Sequence, residues 1–325
     1  MSDLPLIVLV GAGNLGSRHL QALSRVQHSL SVTVIDPSEE SLDIAKERWI
    51  QMACDTHSVR FTSELPREND IYLAIIATNA DVRLSVISEL LSKNGVKNLI
   101  LEKLLFTSEK DFKRFETIIE ESRCSVFVNC AMRTMPFYYA MKEELGPPPY
   151  QYSVVGSQYG MVTNAIHYLD HLVYLSGSNV FTVDTSALMP DPIASKRSGF
   201  LELNGTMRIL FSDGSVAAFT CFADGNLPLR VEISSSSYAA VCFETDRMAT
   251  ICNEKTGWSW TSTDLAIPYQ SEMTSQIVTD LLLHNRCNLV TYEESMKTHL
   301  QLLNPLRAFL ESNGVTDHEH DYPFT

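Results

Sequence analysis

Positive charge is scarce in this chain: 25 lysines and arginines face 39 aspartates and glutamates, a formal net charge of −14. Such a field repels a phosphate backbone and argues against broad nucleic-acid binding, although one helix N-terminus can still hold a small anion locally. Long apolar runs are missing as well. Leu4 to Val10 is apolar, but no basic residue precedes it and it is far too short to span a bilayer, so it reads as a buried strand rather than a signal peptide. The cysteines, at 54, 124, 130, 221, 242, 252 and 287, form no C-x-x-C pair and no even framework. That scatter predicts reduced thiols in a cytoplasmic protein, not disulfides or a zinc site. There is no G-x-S-x-G nucleophile elbow, no G-x-x-x-x-G-K-[ST] phosphate loop, no internal repeat and no low-complexity segment.

What is present suits a soluble globular protein of two domains: 325 residues, 45% hydrophobic and 20% charged. The chain is organised around its first twenty residues. A β-branched run, 6–10, stops at Gly11-Ala12-Gly13-Asn14-Leu15-Gly16, and a helix-compatible segment, 17–26, follows. Gly11 permits the tight strand-to-helix turn, Gly13 lets backbone approach a pyrophosphate, and Gly16 lets the helix lie close on the strand. A second strand, 31–35, ends in Asp36, twenty residues beyond Gly16. A carboxylate there accepts the ribose hydroxyls of an adenosine and repels a 2′-phosphate, and Pro37 and Ser38 supply no arginine to hold one. Strand, loop, helix, strand and acid together point to NAD, with NADP disfavoured.

Strand and helix then alternate. Helices are expected at 38–49, 81–93 and 108–122, and strands at 59–61, 71–76, 96–101 and 125–128. On helix 81–93 the expected buried residues are Val82, Val86, Leu90 and Leu91. This rhythm predicts a doubly wound parallel sheet, a Rossmann domain over residues 1–130. Its ligand belongs outside the carboxyl ends of the strands, where Gly11, Asp36, Thr78, Lys103 and Asn129 fall. Residues 131–325 form an expected α+β domain with a mainly antiparallel open sheet. Its helices are expected at 135–145, 164–175, 272–285 and 292–312. Strands are expected at 150–159, 199–211, 215–223, 229–236, 238–245, 247–252 and 257–261, with a hairpin turn at Ser212-Asp213-Gly214-Ser215. Val216 to Phe222, Trp258 and Trp260 on the open face suggest a homo-oligomer. The acidic, histidine-containing tract 317–321 reads as a solvated, fraying terminus.

Three groups of residues could carry chemistry. Lys103, at a strand end beside a nicotinamide, could hold a substrate oxygen, and Glu102 could orient it or the cofactor; as a bare dipeptide the pair is equally an ordinary surface feature. On helix 164–175, Asn164, His167, His171 and Tyr174 share a stripe, with Asp170 three residues after His167. These groups want a polar partner, either a substrate or solvent. His167 is suited to moving a hydroxyl proton. The H-x-x-D-H spacing also fits a metal, but no third ligand is evident and no metal is assigned. Asn129 and Arg133 lie at the domain junction, where Arg133 either makes a salt bridge or meets a polyhydroxylated or anionic substrate.

These residues resemble the Gfo/Idh/MocA oxidoreductases, the family of glucose–fructose oxidoreductase and inositol dehydrogenase, over nearly the whole chain. Gly11 to Gly16 with the trailing Arg18-His19 looks like the family's opening turn. Ala77-Thr78-Asn79 with Arg83 is similar to its A-T-x-x-x-x-H/R turn. Leu101-Glu102-Lys103 matches E-K-P with Leu104 in place of proline. Asn129 to Arg133 resembles N-x-x-x-R, and Ile166 to Asp170 matches the core of its substrate-domain helix.

The resemblance implies an NAD(P)-dependent oxidoreductase, NAD favoured. It would move a hydride between nicotinamide and a secondary alcohol or ketone of a sugar, amino sugar, cyclitol or sugar nucleotide. Lys103 and His167 would be catalytic. Gly11, Gly13, Asn14, Leu15, Gly16, Asp36, Thr78, Asn79, Arg83, Glu102 and Lys103 would hold the cofactor. Asn129, Arg133, Thr163, Asn164, Asp170 and His171 would meet the substrate. One departure matters: the family pattern is D-x-x-x-H, and Thr163 stands where the aspartate belongs. It offers a hydrogen bond but no charge against an imidazolium. That departure keeps open a non-catalytic NAD-binding sensor, or a reductase of another cyclic substrate, on the same fold.

Overall fold

The computed structural model describes residues 4–67, 69–316 and 319–325. They divide into two units, one of residues 1–129 with 268–292, the other of residues 130–267 with 293–325. The first opens with β1 (Leu6–Val10), α1 (Asn14–Leu23), β2 (Ser31–Ile35), α2 (Glu39–Ile50), β3 (Ser58–Thr62), β4 (Asp70–Ile76), α3 (Ala80–Lys93), β5 (Gly95–Leu101), α4 (Glu109–Ser122) and β6 (Ser125–Val128). Ser38 and Ser108 cap α2 and α4, each accepting a backbone N–H three residues on. The central strands are apolar along their length because helices cover both faces; Leu73 to Ile76 of β4 are wholly buried.

In the second unit come α5 (Pro136–Glu144), β7 (Gln151–Ser157), α6 (Met161–Ser176), β8 (Phe181–Leu188), β9 (Ile193–Ala194), β10 (Leu201–Glu202), β11 (Gly205–Phe211), β12 (Val216–Phe222), β13 (Arg230–Ser234), β14 (Tyr238–Phe243), β15 (Met248–Asn253) and β16 (Thr261–Asp264). The chain then returns to the first unit for α7 (Gln270–His284) and β17 (Val290–Thr291), and α8 (Tyr292–Ser312) carries it back.

In the first unit the described strands run in the order β17-β6-β5-β4-β1-β2-β3, parallel except for β17, which is antiparallel to β6. In the second unit a sheet of order β16-β15-β14-β13-β7-β12-β11-β8 is antiparallel except where β12 meets β7. Along β12, Ala217, Phe219 and Cys221 are buried while Val216, Ala218, Thr220 and Phe222 face outward, and Trp258 and Trp260 are exposed. All seven cysteines are free thiols. No described helix is long and apolar enough to cross a membrane.

Four expectations need correction. The expected second domain included residues 268–292, but α7 packs on α1, with Thr274 bonded to His19 and the Tyr72 hydroxyl donating to the Leu281 carbonyl, so the segment belongs to the first unit. On α3 the buried stripe is Arg83, Leu84, Ile87 and Leu90, while Val82 is exposed. A guanidinium satisfied by carbonyls has taken an interior place and moved the stripe. Strand β8 was not expected; it is an edge strand with a mostly exposed, serine- and threonine-containing middle, which leaves no apolar alternation to read. The chain end is not a fraying one. Asp317 and His318 lie outside the described residues, but His320 stacks on Phe200 at 5.4 Å, and Tyr322, Phe324 and Thr325 are at most 1% exposed.

Candidate active site

The first unit sets its site residues side by side by continuing the sheet's hydrogen bonding one step past each strand. Gly11 N donates to the Ile35 carbonyl (2.8 Å), Ala77 N to Val10 (2.8 Å), Glu102 N to Ile76 (3.1 Å) and Asn129 N to Leu101 (2.8 Å). Residues far apart in sequence therefore line one edge, where ligands of parallel sheets bind.

The glycine turn is built for backbone proximity. Gly11 has φ +94°, and a Cβ on Gly16 would stand 1.7 Å from the Gly11 carbonyl oxygen. A Cβ on Gly13 would meet no protein atom within 4 Å. The helix start is capped by no side chain, and its first turn holds no acid. This combination leaves N–H groups and positive dipole for an external anion. Asp36 accepts from Ala12 N through Oδ2 (2.7 Å) and from Ser38 N through Oδ1 (2.9 Å), so both oxygens are fixed and each keeps a lone pair. Arg48 of α2, which the sequence reading passed over, donates to the Ser17 hydroxyl and ties α2 to this turn. Thr78 Oγ1 is buried with no protein partner, a polar atom that a bound ligand would satisfy. Asn79 is the exposed N-cap of α3. These observations fit a dinucleotide: diphosphate on the Gly13 to Gly16 turn, ribose on Asp36.

Lys103 is held from two sides. Arg83 is fully buried; it donates to the carbonyls of Leu104 and Leu105 (2.7 Å for the latter) and of Thr78 (2.5 Å). It thus pins the turn after β5 to the turn after β4, supplying the rigidity that Leu104 in place of proline would otherwise cost. The resemblance made Arg83 a cofactor ligand; its buried guanidinium serves the backbone instead. Glu102 was likewise expected at the cofactor, and Asn129 at the substrate, yet each is only 3% exposed. Glu102 Oε1 accepts from Asn129 Nδ2 (2.6 Å) and pairs with His19 Nε2 (2.8 Å); His19 Nδ1 meets Thr274 Oγ1 (2.7 Å), and Asn129 Nδ2 also donates to Gln270 Oε1 (3.0 Å). Burial opposes the charge on Glu102, but His19, Asn129 and Lys103 outweigh it and hold its pKa below the usual carboxylate value. The carboxylate is an anchor beneath Lys103. His19 was legible as part of the motif but had no assigned role; Gln270 and Thr274 carried no signal at all.

In the second unit α6 presents Thr163, Asn164 and His167 as half-buried residues near its start, while Asp170 and His171 are buried. The expected polar stripe is therefore interrupted at His171, while Tyr174 beyond it is again half-buried. His171 is wholly enclosed, meeting the Tyr152 hydroxyl at Nδ1 (3.1 Å) and accepting nothing from solvent; Nε2 lies 3.2 Å from the Tyr138 carbonyl. Burial pushes its pKa down to about 3, so it stays neutral. Asp170 takes Arg133 in a two-pronged pair, Nε to Oδ2 at 2.7 Å and a terminal nitrogen to Oδ1 at 2.8 Å, with Glu294 Oε1 at 3.5 Å. Burial works against the Arg133 charge, but Asp170 and Glu294 raise its pKa above the ordinary value. Arg133, Asp170 and His171 are thus internal to the unit rather than substrate groups.

Asn164 donates to the carbonyls of Tyr159 (2.7 Å) and Gly160 (3.0 Å), and Thr163 Oγ1 donates to the main-chain oxygen of Thr325 (2.8 Å). Helix α6 starts three residues earlier than expected because its cap is not local: Glu202 accepts from Val162 N (2.9 Å) and Thr163 N (3.0 Å). Among the described residues no group of histidine, cysteine and carboxylate side chains is placed to hold a metal ion.

A nucleotide-binding parallel sheet with this turn and a strand-end lysine is the architecture of dinucleotide-dependent oxidoreductases. Residues 6–130 match the Gfo/Idh/MocA model, described as an oxidoreductase family with an NAD-binding Rossmann fold. No curated protein sequence matches. Among solved structures the fold is similar to UDP-N-acetylglucosamine 3-dehydrogenase of Acidithiobacillus ferrooxidans (TM-score 0.70, 14% identity, 94% of this chain and 96% of that one). It is also similar to scyllo-inositol dehydrogenase of Lactobacillus casei, solved with NAD(H) and scyllo-inositol (0.66, 16%, 95% and 98%). A third is a variant of a 3-ketoreductase of Actinomadura kijaniata, solved with NADP (0.67, 11%, 92% and 96%).

Proposed function

We propose that the protein is an NAD-dependent dehydrogenase that interconverts a secondary alcohol and a ketone on a sugar, amino sugar, cyclitol or sugar nucleotide. The observation that carries this reading is the fixing of Lys103 at the carboxyl edge of the sheet, by Arg83 on the backbone after it and by the His19–Glu102 pair before it. A purely structural lysine needs no such setting. NAD is favoured over NADP because both Asp36 oxygens are held at the end of β2 and Pro37 and Ser38 follow. The names of similar proteins, with UDP-N-acetylglucosamine and scyllo-inositol as substrates, support a polyhydroxylated class.

Bound NAD supplies the hydride acceptor, and in the reverse direction NADH the donor. Lys103 donates a hydrogen bond to the substrate oxygen and stabilises the charge that develops there as the carbinol carbon loses hydride. His167 takes the hydroxyl proton, and the carbon–oxygen double bond forms. Asn164, whose hydrogen bonds to the Tyr159 and Gly160 carbonyls both leave through Nδ2, offers its own side-chain oxygen to a substrate hydroxyl.

The test is NADH absorbance during incubation with NAD and a panel of such alcohols. Lys103→Ala and His167→Ala should each lose about 10²-fold or more in kcat while NAD binding persists. Full turnover in both variants would refute the roles, and NAD binding without turnover of any substrate by the wild-type protein would refute the dehydrogenase.

A further inference from the structure

The first turn of α6 poses a problem that its own sequence does not solve. Gly160 precedes it in the left-handed region, φ +73°, and no side chain of the local segment caps it. The four leading N–H groups of a helix need acceptors, and their positive dipole disfavours a protonated histidine one or two turns in. Glu202, from the short β9–β10 ladder about forty residues later, answers both. Its two oxygens take the N–H groups of Val162 and Thr163, and it is only 5% exposed. A Cβ on Gly160 would press on Oε1 at 3.3 Å, so the glycine leaves room for this carboxylate.

His167 lies four residues beyond Thr163 on the same helix face, and helical side chains lean back towards the N-terminus. The Thr163 hydroxyl donates to the main-chain oxygen of Thr325. We propose that Glu202 is a positioning residue for His167: it fixes the first turn of α6 and sets beside the histidine's face the negative charge that Thr163 lacks. This rests on the role given to His167 above.

Other charged groups also pack on or around α6, among them Asp170, whose pKa burial raises to about 7. Arg133 is met by Asp170 and Glu294. Lys142 sits over the Tyr174 ring, and Arg197 donates to Thr325 Oγ1. Around Glu202 itself, burial raises the pKa of both Tyr159 and Cys221, and both remain neutral. His171 and Tyr152 deeper along the helix are uncharged as well.

The experiment reads the His167 ring by NMR titration, which needs no substrate. Glu202→Gln keeps the shape and removes the charge, and should lower the His167 pKa by roughly half a unit, the scale of a charge change at a helix end. The acidic limb of the kcat profile should move with it, about threefold in rate at a fixed pH on that limb. Adding Thr163→Asp to Glu202→Gln should restore the value. Adding Thr163→Asp to the wild type should raise it, because two carboxylates then face one imidazole. An unchanged His167 pKa in Glu202→Gln overturns the proposal. Should that variant not fold, Glu202→Asp still decides: it keeps the charge but draws it back by one methylene, and an unchanged His167 pKa there overturns the proposal. A shifted pKa with no turnover in any form would leave this inference standing and sink the dehydrogenase instead.

Discussion

Helices α1 and α6 both begin after a glycine, and neither has a side-chain cap or an acid in its own first turn. Their ends are used in opposite ways. At α1 the Asp36 carboxylate stops at Ala12 N, and a Cβ on Gly13 would meet no protein atom within 4 Å. At α6 Glu202 fills the same kind of end from another part of the chain. An uncapped, open helix start is a binding site for an anion that arrives from solution, whereas a filled one has its charge set by the protein. In the proposed function one helix end receives the cofactor and the other prepares the proton-transfer residue.

The contrast breaks most severely at the contact that lets α1 lie on β1. Gly16→Ala puts a carbon 1.7 Å from the Gly11 carbonyl oxygen, against backbone that cannot yield. The expected loss, at least about 3 kcal/mol, would show as a large fall in the urea midpoint; an unchanged midpoint would mean that the turn is not packed as described. A second effect, on the pH dependence of stability, sharpens the other side. His171 has its pKa lowered from 6.5 to about 3 by burial, so below pH 6.5 the unfolded chain binds a proton that the folded one refuses. Its contribution is complete above about 6.5 and is lost as the pH falls towards 3, by up to about 1.4 kcal/mol per unit. Thermal unfolding across that window should fall more steeply for wild type than for His171→Gln, and equal slopes would contradict the enclosure of this histidine.

The parallel sheet was legible because its strands are apolar along their length and each is followed by a helix with a readable start, such as Ser38 or Ser108. The position of Gly11 to Gly16, Asp36 and Lys103 along one edge was legible for the same reason, since they sit at strand ends that the sequence order alone defines. What escaped the sequence was long-range polar satisfaction. Arg83 read as a cofactor ligand, but the carbonyls of 78, 104 and 105 surround it. His171 had the correct helical angle for the polar stripe, but the packing of Tyr138 and Tyr152 seals that depth of the helix. Glu202 stands in a two-residue strand with no motif around it, and only the fold brings it to α6.

The most direct test of the open end of α1 is a calorimetric titration of NAD into Gly13→Ala beside the wild type. The glycine has φ −62°, and an added Cβ meets no protein atom within 4 Å, so the protein itself should tolerate alanine and gain a few tenths to about 1 kcal/mol in stability. Only a ligand lying against the turn would feel the methyl group. The expected result is an unfolding midpoint equal to or above wild type, with NAD affinity reduced by about tenfold or more. Wild-type affinity in Gly13→Ala would show that no dinucleotide rests on this turn.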